Sequence, residues 1–328
     1  MEARCDVVVV GAGLLGLASA RALARRGRSV ILLETAEVGH EDGGSKGSCR
    51  IFRLGYDDAD WVRMAMRARE SWAELEDECG RKLLQPTPHV TFGPGMDAVR
   101  QAMRSAGAPH DFLPAEAVAA SFPEVATGGP AVLELDSCVI SADSALRALA
   151  AAVPDIRTGA LLRGSGITVP GTPTQEQVGY LATTDGTRPG VPIVIGHGSP
   201  ELYGLPVPGE PLYKIGVHHG GPVTDPDHQE HGPDQDLSAQ LTGLARKYLP
   251  GLAPDLMRTE RCVYDNSPDQ DFIVDRVGRI VIGSGTSGHG FKFGPLLGEW
   301  LADLATGAGA DPAARRFSLD RFRAAAGH

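Results

Sequence analysis

The sequence predicts an α/β fold organised on a parallel strand–turn–helix–strand unit, and three observations predict it. Asp6-Val7-Val8-Val9-Val10 reads as a buried parallel strand. Gly11-Ala12-Gly13-Leu14-Leu15-Gly16 follows at once as a G-x-G-x-x-G turn. Ser29–Leu33 gives a second apolar strand ending in the acid Glu34. In such a turn Gly11 permits the tight bend, Gly13 lets backbone approach a pyrophosphate, and Gly16 lets the next helix pack close to the strand. Leu17–Arg26 is rich in Ala and Leu and ends at Gly27, as a helix should. The N–H groups at its start would face a diphosphate. Glu34 stands about 20 residues beyond the glycines, where a ribose hydroxyl needs an acceptor. A glycine triplet alone is a weak signal; strand, turn, helix, strand and acid in that order point to a bound dinucleotide.

Further along, Trp61–Cys79 places Val62, Ala65, Met66, Trp72 and Leu75 at helical core spacing, with Gly80 as the stop. Val90–Gly93 reads as a short strand, and Met96–Ala106, Ala115–Ser121 and Ala142–Ala152 as helices. Gly159–Gly209 is rich in Gly, Pro and Thr, with strands expected at Gln177–Leu181 and Val191–Ile195. Leu237–Tyr248 is helical, Arg279–Gly283 a second buried strand, and Leu296–Ala305 a terminal helix; Gly221–Asp234 reads as an exposed loop.

Composition narrows the function. The 328 residues suffice for two domains, and 42% hydrophobic with 22% charged residues is a globular balance. A net charge of −10 with no basic block argues against nucleic acid. No apolar stretch approaches the ~20 residues that cross a bilayer, so no membrane partner is expected. Val7–Ala20 is interrupted by Arg21 and runs into the glycine turn, unlike a signal peptide. Cys5, Cys49, Cys79, Cys138 and Cys262 are odd in number, widely spaced and form no C-x-x-C. Neither a metal site nor a disulfide framework is expected, and a reducing cytoplasm is the expected compartment.

Four further segments change the reading. They are Gly44-Ser45-Lys46-Gly47-Ser48-Cys49-Arg50-Ile51-Phe52-Arg53, Lys214-Ile215-Gly216-Val217-His218, Arg261-Cys262-Val263-Tyr264, and Ser287-Gly288-His289-Gly290-Phe291-Lys292-Phe293. With the glycine turn, and in this order, the chain resembles the monomeric sarcosine oxidase and N-methyltryptophan oxidase family of flavin amine oxidases. The resemblance runs over nearly the whole chain. It implies a Rossmann-like FAD-binding domain with an interleaved mixed-sheet α+β substrate domain. We expect residues 1–85, 137–165 and 262–328 in the first, and 86–136 and 166–261 in the second. It implies oxidation of the C–N bond of an N-methyl or cyclic secondary amino acid to an imine, with O2 reduced to hydrogen peroxide, by a monomer whose cofactor carries the redox chemistry.

The resemblance also implies residue roles. Cys262 matches the cysteine that bonds the flavin through its 8α-methyl carbon; the reactive form is the thiolate, which neighbouring Arg261 would favour. Lys214 and His218 match the family's K-x-G-x-H. In a strand, positions 214, 216 and 218 share a face, so both side chains would face the flavin, where a lysine stabilises charge developing on O2. Arg53 and Lys292 match the pair that grips the substrate carboxylate, a planar fork and a point charge. Arg50 matches an arginine over the flavin ring, and Tyr203 an aromatic of the active-site cavity. Gly11, Gly13, Gly16, Glu34, Ser45, Lys46, Gly288, His289, Gly290 and Phe291 fall at cofactor-binding positions. Lys46 stands where the family often has His, and Cys49 where Thr or Ser is common.

The chain departs from the pattern near Arg157–Leu161. Asp155–Gly159 looks like the strand after the Ser141–Ala152 helix, and Ala160-Leu161-Leu162 like the end of a much later helix. A three-stranded piece and a returning valine-rich strand are expected to be absent, with nothing in Thr158–Ile167 to replace them. A doubly wound sheet lacking that strand would expose an edge and apolar surface. The alternative is a non-catalytic truncated homologue with weak or no flavin binding. A nicotinamide-dependent dehydrogenase ranks last, since Cys262, Lys214 and His218 have no purpose there.

Overall fold

Val7–Val10 and Val30–Glu34 pair in parallel, from Val7 opposite Val30 to Val10 opposite Leu33, and Ile156–Thr158 joins the far side of the second strand. The computed structural model describes residues 4–158, 168–183 and 190–325. The Gly159–Ala160 junction, the Ala160–Leu162 helix end and most of Thr158–Ile167 lie outside the described residues.

One helix packs directly on this sheet, and two others build the layer behind it. The helix Leu14–Arg25 packs on Gly294–Thr306, where Gly298 is obligatory: a Cβ there would sit 2.5 Å from the Ala18 carbonyl carbon. The helix Ala59–Cys79 starts on Asp58, which accepts the N–H of Asp60, and stops at Gly80 in the left-handed region, φ 64°. Buried Arg21 reaches Glu78 at 2.7 Å, and Arg26 reaches Glu299 and Asp303, each at 2.7 Å, so ion pairs tie the three helices together.

The outer face differs from expectation. The four valines are not a buried strand: Val8 and Val10 are 52% and 55% exposed, while Val7 and Val9 pack inward. Among the described residues no strand pairs with the free edge of Val7–Val10. A strand buried on both faces reads as a continuous apolar run; here, among the described residues, that run is covered on one face only. The Arg279–Gly283 prediction is corrected likewise. The strand is Ile280–Ser284, in a two-stranded hairpin with Ile273–Val277, and Ile280 is 42% exposed. A lone hairpin can cover only one face of each strand.

The second layer is an eight-stranded mixed sheet. Its order is Leu252–Asn266, Thr172–Thr183, Leu212–Val217, Leu202–Pro206, Ile193–Gly196, His89–Phe92, Ala131–Glu134, Asp111–Leu113. The helix Gln235–Tyr248, capped by Asp234, packs on it around Leu241 and Ala245. The Gly221–Asp234 stretch carries no helix or strand and is largely exposed. A further three-stranded antiparallel sheet has the order Cys49–Phe52, Cys138–Ser141, Leu84–Pro86. No helix among the described residues is long and apolar enough to cross a membrane.

Candidate active site

A cavity of about 510 Å³ begins at the Gly11–Gly16 turn and passes Ser45, Lys46, Cys49 and Arg50. It reaches Arg53, Lys214, His218, Cys262, Tyr264 and the segment Gly288–Lys292. The four motif segments, spread over 250 positions from Gly44 to Phe293, therefore wall one space with the glycine turn.

The turn is built as its glycines require. Gly11 has φ +96°, and a Cβ on Gly16 would lie 1.8 Å from the Gly11 carbonyl oxygen. Ser45 closes over the turn, its Oγ accepting the N–H of Leu14 at 3.0 Å. Glu34 does not line the cavity. Its carboxylate accepts the N–H of Ala12 and of Thr35, each at 2.6 Å, and so braces the turn itself. Burial works against its charge, but those N–H groups hold its pKa below the ordinary value.

At the other end, Lys292 is buried. Its Nζ donates to Tyr56 Oη at 2.8 Å and to the His289 carbonyl at 3.0 Å. Its own carbonyl accepts the Trp72 indole N–H at 2.7 Å, which fixes the backbone. The Arg53 guanidinium lies 4.3 Å from the Tyr56 ring centre. Burial, and then Arg53 nearby, push the Lys292 pKa well down. Two cations crowded this closely favour an anion between them.

The turn carrying Arg53 hangs on Glu134, which sequence reasoning missed. This fully buried carboxylate accepts the N–H of Leu54 at 2.8 Å and of Gly55 at 3.1 Å, and meets His89 Nδ1 at 2.7 Å. Burial would raise its pKa; His89, the Leu54 N–H and Arg53 outweigh that and hold it at about 2. Its only sequence signal was an acid in the apolar strand Ala131–Glu134.

Lys214 is 6% exposed on the strand Leu212–Val217, and His218 follows just past its end; both reach the cavity. Burial lowers the pKa of each, helped for His218 by adjacent His219, so the imidazole of His218 is neutral at neutral pH. Gly216, between them, faces Tyr203 on the neighbouring strand, and a Cβ there would meet the ring at 2.4 Å. The glycine of K-x-G-x-H therefore seats the cavity aromatic. Glu176, also missed, clamps the following turn by accepting the N–H groups of Gly220 and Gly221 at 2.9 and 2.8 Å.

Cys262 lines the cavity as a free thiol. Burial raises its pKa, while Arg50, Lys214 and Lys46 act to lower it. The expected helper, Arg261, points away: adjacent strand residues face opposite sides, and Arg261 binds Asp234 at 3.2 Å and Gln175 at 2.9 Å. Arg50 stacks near Phe291, 5.3 Å from its centre, and its guanidinium donates to the Lys46 carbonyl. Gly288, at φ +75°, cradles Tyr264; a Cβ would fall 2.1 Å from that ring. His289 packs between Phe272 and Trp61, at 4.9 Å from each ring centre.

The fold and this turn define a dinucleotide-dependent α/β enzyme, and the comparisons place it. Residues 6–161 and 156–304 match the model of the FAD dependent oxidoreductases (DAO). The chain belongs to that family, and it is an oxidoreductase with FAD as the family's cofactor. It is 31% identical to mouse peroxisomal sarcosine oxidase, covering 92% of each chain. It is 28% identical to Bacillus monomeric sarcosine oxidase over 380 positions, covering 98% of each, and 28% identical to Yersinia pestis N-methyl-L-tryptophan oxidase, covering 97% of this chain and 99% of that one. The fold matches NikD, an unusual amino acid oxidase, with TM-score 0.82, 23% identity and 96% and 97% coverage. It matches L-proline dehydrogenase from P. horikoshii with TM-score 0.83, 19% identity and 99% coverage of each. The family match divides at 156–161, and an alignment of 380 positions exceeds the 328 residues here.

The residues present fit FAD. Gly11, Gly13 and Gly16 line the cavity without a side chain to obstruct it, and along the same wall stand donors suited to phosphate and ring oxygens: the start of the helix Leu14–Arg25, Lys46 and Arg50.

Proposed function

We propose that this chain is an FAD-dependent oxidase of secondary amines, acting on N-methyl or cyclic amino acids such as sarcosine, N-methyltryptophan or pipecolate. The observation that carries the reading is the cation pair Arg53 and Lys292, closed around Tyr56, at the far end of the cavity that opens on the glycine turn. When bound, FAD supplies the two-electron redox chemistry that turns C–N into an imine and passes the electrons to O2, giving hydrogen peroxide.

The chain's own residues then have definite work. Arg53 and Lys292 hold the substrate carboxylate and so orient the amine. Neutral His218 and Tyr203 line the space beside it. Lys214, held out of water, places its ammonium where negative charge grows on oxygen. Cys262, whose sulfur faces the cavity, would hold the flavin covalently at its 8α-methyl carbon. Ser45, Lys46, Gly288, His289, Gly290 and Phe291 hold the cofactor, and Arg50 covers its ring. The protein works as a monomer in the cytoplasm, with a small amino acid and O2 as its partners.

The test is the visible spectrum before and after acid precipitation, with a peroxide assay on a panel of N-methyl and cyclic amino acids. Yellow colour should stay with the precipitate, leave it in Cys262→Ala, and peroxide should follow substrate. A colourless purified protein that takes up no FAD would refute the reading and favour the non-catalytic homologue.

A further inference from the structure

The acidic residues on the cavity wall are Asp42, Glu201, Glu260 and Asp265. Glu260 accepts the Tyr180 hydroxyl at 2.6 Å, Asp265 accepts the Thr286 N–H at 3.0 Å, and Asp42 is exposed. Glu201 is different. Its nearest partner is His197 Nδ1 at 3.4 Å, and no lysine or arginine among the described residues bridges it. Its own carbonyl accepts the N–H of His218 at 2.9 Å, which fixes it at the His218 end of the cavity. Burial opposes its charge, but the hydrogen bond from His197 and the nearby charge of Arg53 act to lower its pKa below the ordinary value. The same end of the cavity thus presents a cation pair, Arg53 and Lys292, and a half-buried carboxylate that no lysine or arginine among the described residues touches directly.

A substrate carboxylate uses the cation pair. The Glu201 side chain is 32% exposed and is solvated from the open cavity. Substrate that fills the cavity displaces that water, and His197 at 3.4 Å replaces only part of the lost solvation, so a cationic group there is favoured. The reacting amine cannot be that charge: a carboxylate against it would keep it protonated, and C–N oxidation needs its lone pair. Another part of the substrate can supply that positive charge, with Ile195 and Leu205 on the wall to take an aliphatic stem. We propose that the site selects secondary amino acids whose side chain ends in an ammonium or guanidinium group, and that Glu201 is the residue that recognises it. This rests on the amine-oxidase reading above.

The test compares α-N-methyl-L-lysine with its uncharged analogue N-methyl-L-norleucine on the FAD-loaded enzyme. Binding is read by anaerobic titration calorimetry, and oxidation by kcat/KM for peroxide release. A hydrogen bond to a charged partner corresponds to a preference of about 10- to 100-fold, which the wild type should show for the lysine derivative. Glu201→Gln should bring the ratio to near one, and Glu201→Lys should shift preference to N-methyl-L-glutamate, with thermal melts checking that both variants fold. Equal handling of the two ligands by the wild type, or a preference that survives in Glu201→Gln, overturns the proposal. Both ligands oxidised alike would leave the oxidase reading standing. A Glu201-dependent binding preference without oxidation of either would support the recognition role and refute the oxidase reading instead.

Discussion

Replacing Glu134 with Gln should cost about 3 kcal/mol of stability at pH 7 and loosen the substrate-carboxylate grip. The carboxylate is 1% exposed and joins two backbone N–H groups of the Arg53 turn to buried His89. Removing one partner from a buried charged pair costs about 3–5 kcal/mol. A second route gives a similar figure. The folded pKa of about 2 lies some 2.5 units below the ordinary 4.5, and each unit is worth about 1.4 kcal/mol, or about 3 kcal/mol in all. The sign follows: a depressed carboxylate pKa stabilises fully above pH 4.5, and the contribution is lost as pH falls from 4.5 towards 2. Urea unfolding of wild type and Glu134→Gln at pH 7 and pH 3 reads both effects, with the gap between them shrinking by about 2 kcal/mol at the lower pH. The KM for substrate should rise more than kcat falls, because Leu54 and Gly55 set the pose of Arg53. A gap under 1 kcal/mol at pH 7, or one indifferent to pH, would refute the argument.

Three other outcomes are expected. Lys214→Met should slow flavin reoxidation by O2 about 100-fold, the scale of one lost electrostatic group, and flavin reduction far less; stopped-flow of the separated half-reactions decides, and equal losses would point to a structural role. Gly216→Ala places a Cβ 2.4 Å from the Tyr203 ring, an overpacking worth about 1–3 kcal/mol, so the melting temperature should fall and kcat/KM drop; an unchanged melt would show that the ring moves freely. Inserting the family's missing strands between Gly159 and Ala160 should raise the flavin-to-protein ratio and the melting temperature and reduce aggregation; a native chain already fully loaded would show that the sheet manages without them.

Most of the fold was legible because its signals are local. Met96–Ala106 and Ala115–Ser121 form over the residues predicted, and Ala142–Ala151 ends one residue early. Each has a turn signal or apolar period in its own sequence. Strand extents were less legible. Gln177–Leu181 is the middle of a twelve-residue strand, Thr172–Thr183, whose ends are set by pairing with Leu252–Asn266 rather than by composition. Arg261 was misread for a related reason. Sequence adjacency suggested that it touches the Cys262 thiol, while strand alternation sends it to Asp234 and leaves Arg50 and Lys214, distant in sequence, facing the sulfur.

The motif residues Arg53, Lys214, Cys262 and Lys292 do meet in one cavity, yet what holds them there lay outside the motifs. Tyr56, Glu134 and Glu176 act by bonding backbone N–H groups or by stacking, and an isolated Glu in an apolar strand has no period or spacing to betray it. The Val8 and Val10 exposure follows the opposite logic. The sequence still has the composition of a strand enclosed on both sides, while the family match breaks at 156–161, where the enclosing piece would begin. Val10 of that strand lines the cavity at the glycine-turn end, whereas Arg53 and Lys292 stand at the other end on segments that do not pair with it. The geometry at Arg53 and Lys292 is therefore independent of the break. The consequence of the gap should be felt first in stability and cofactor retention, and only through them in turnover.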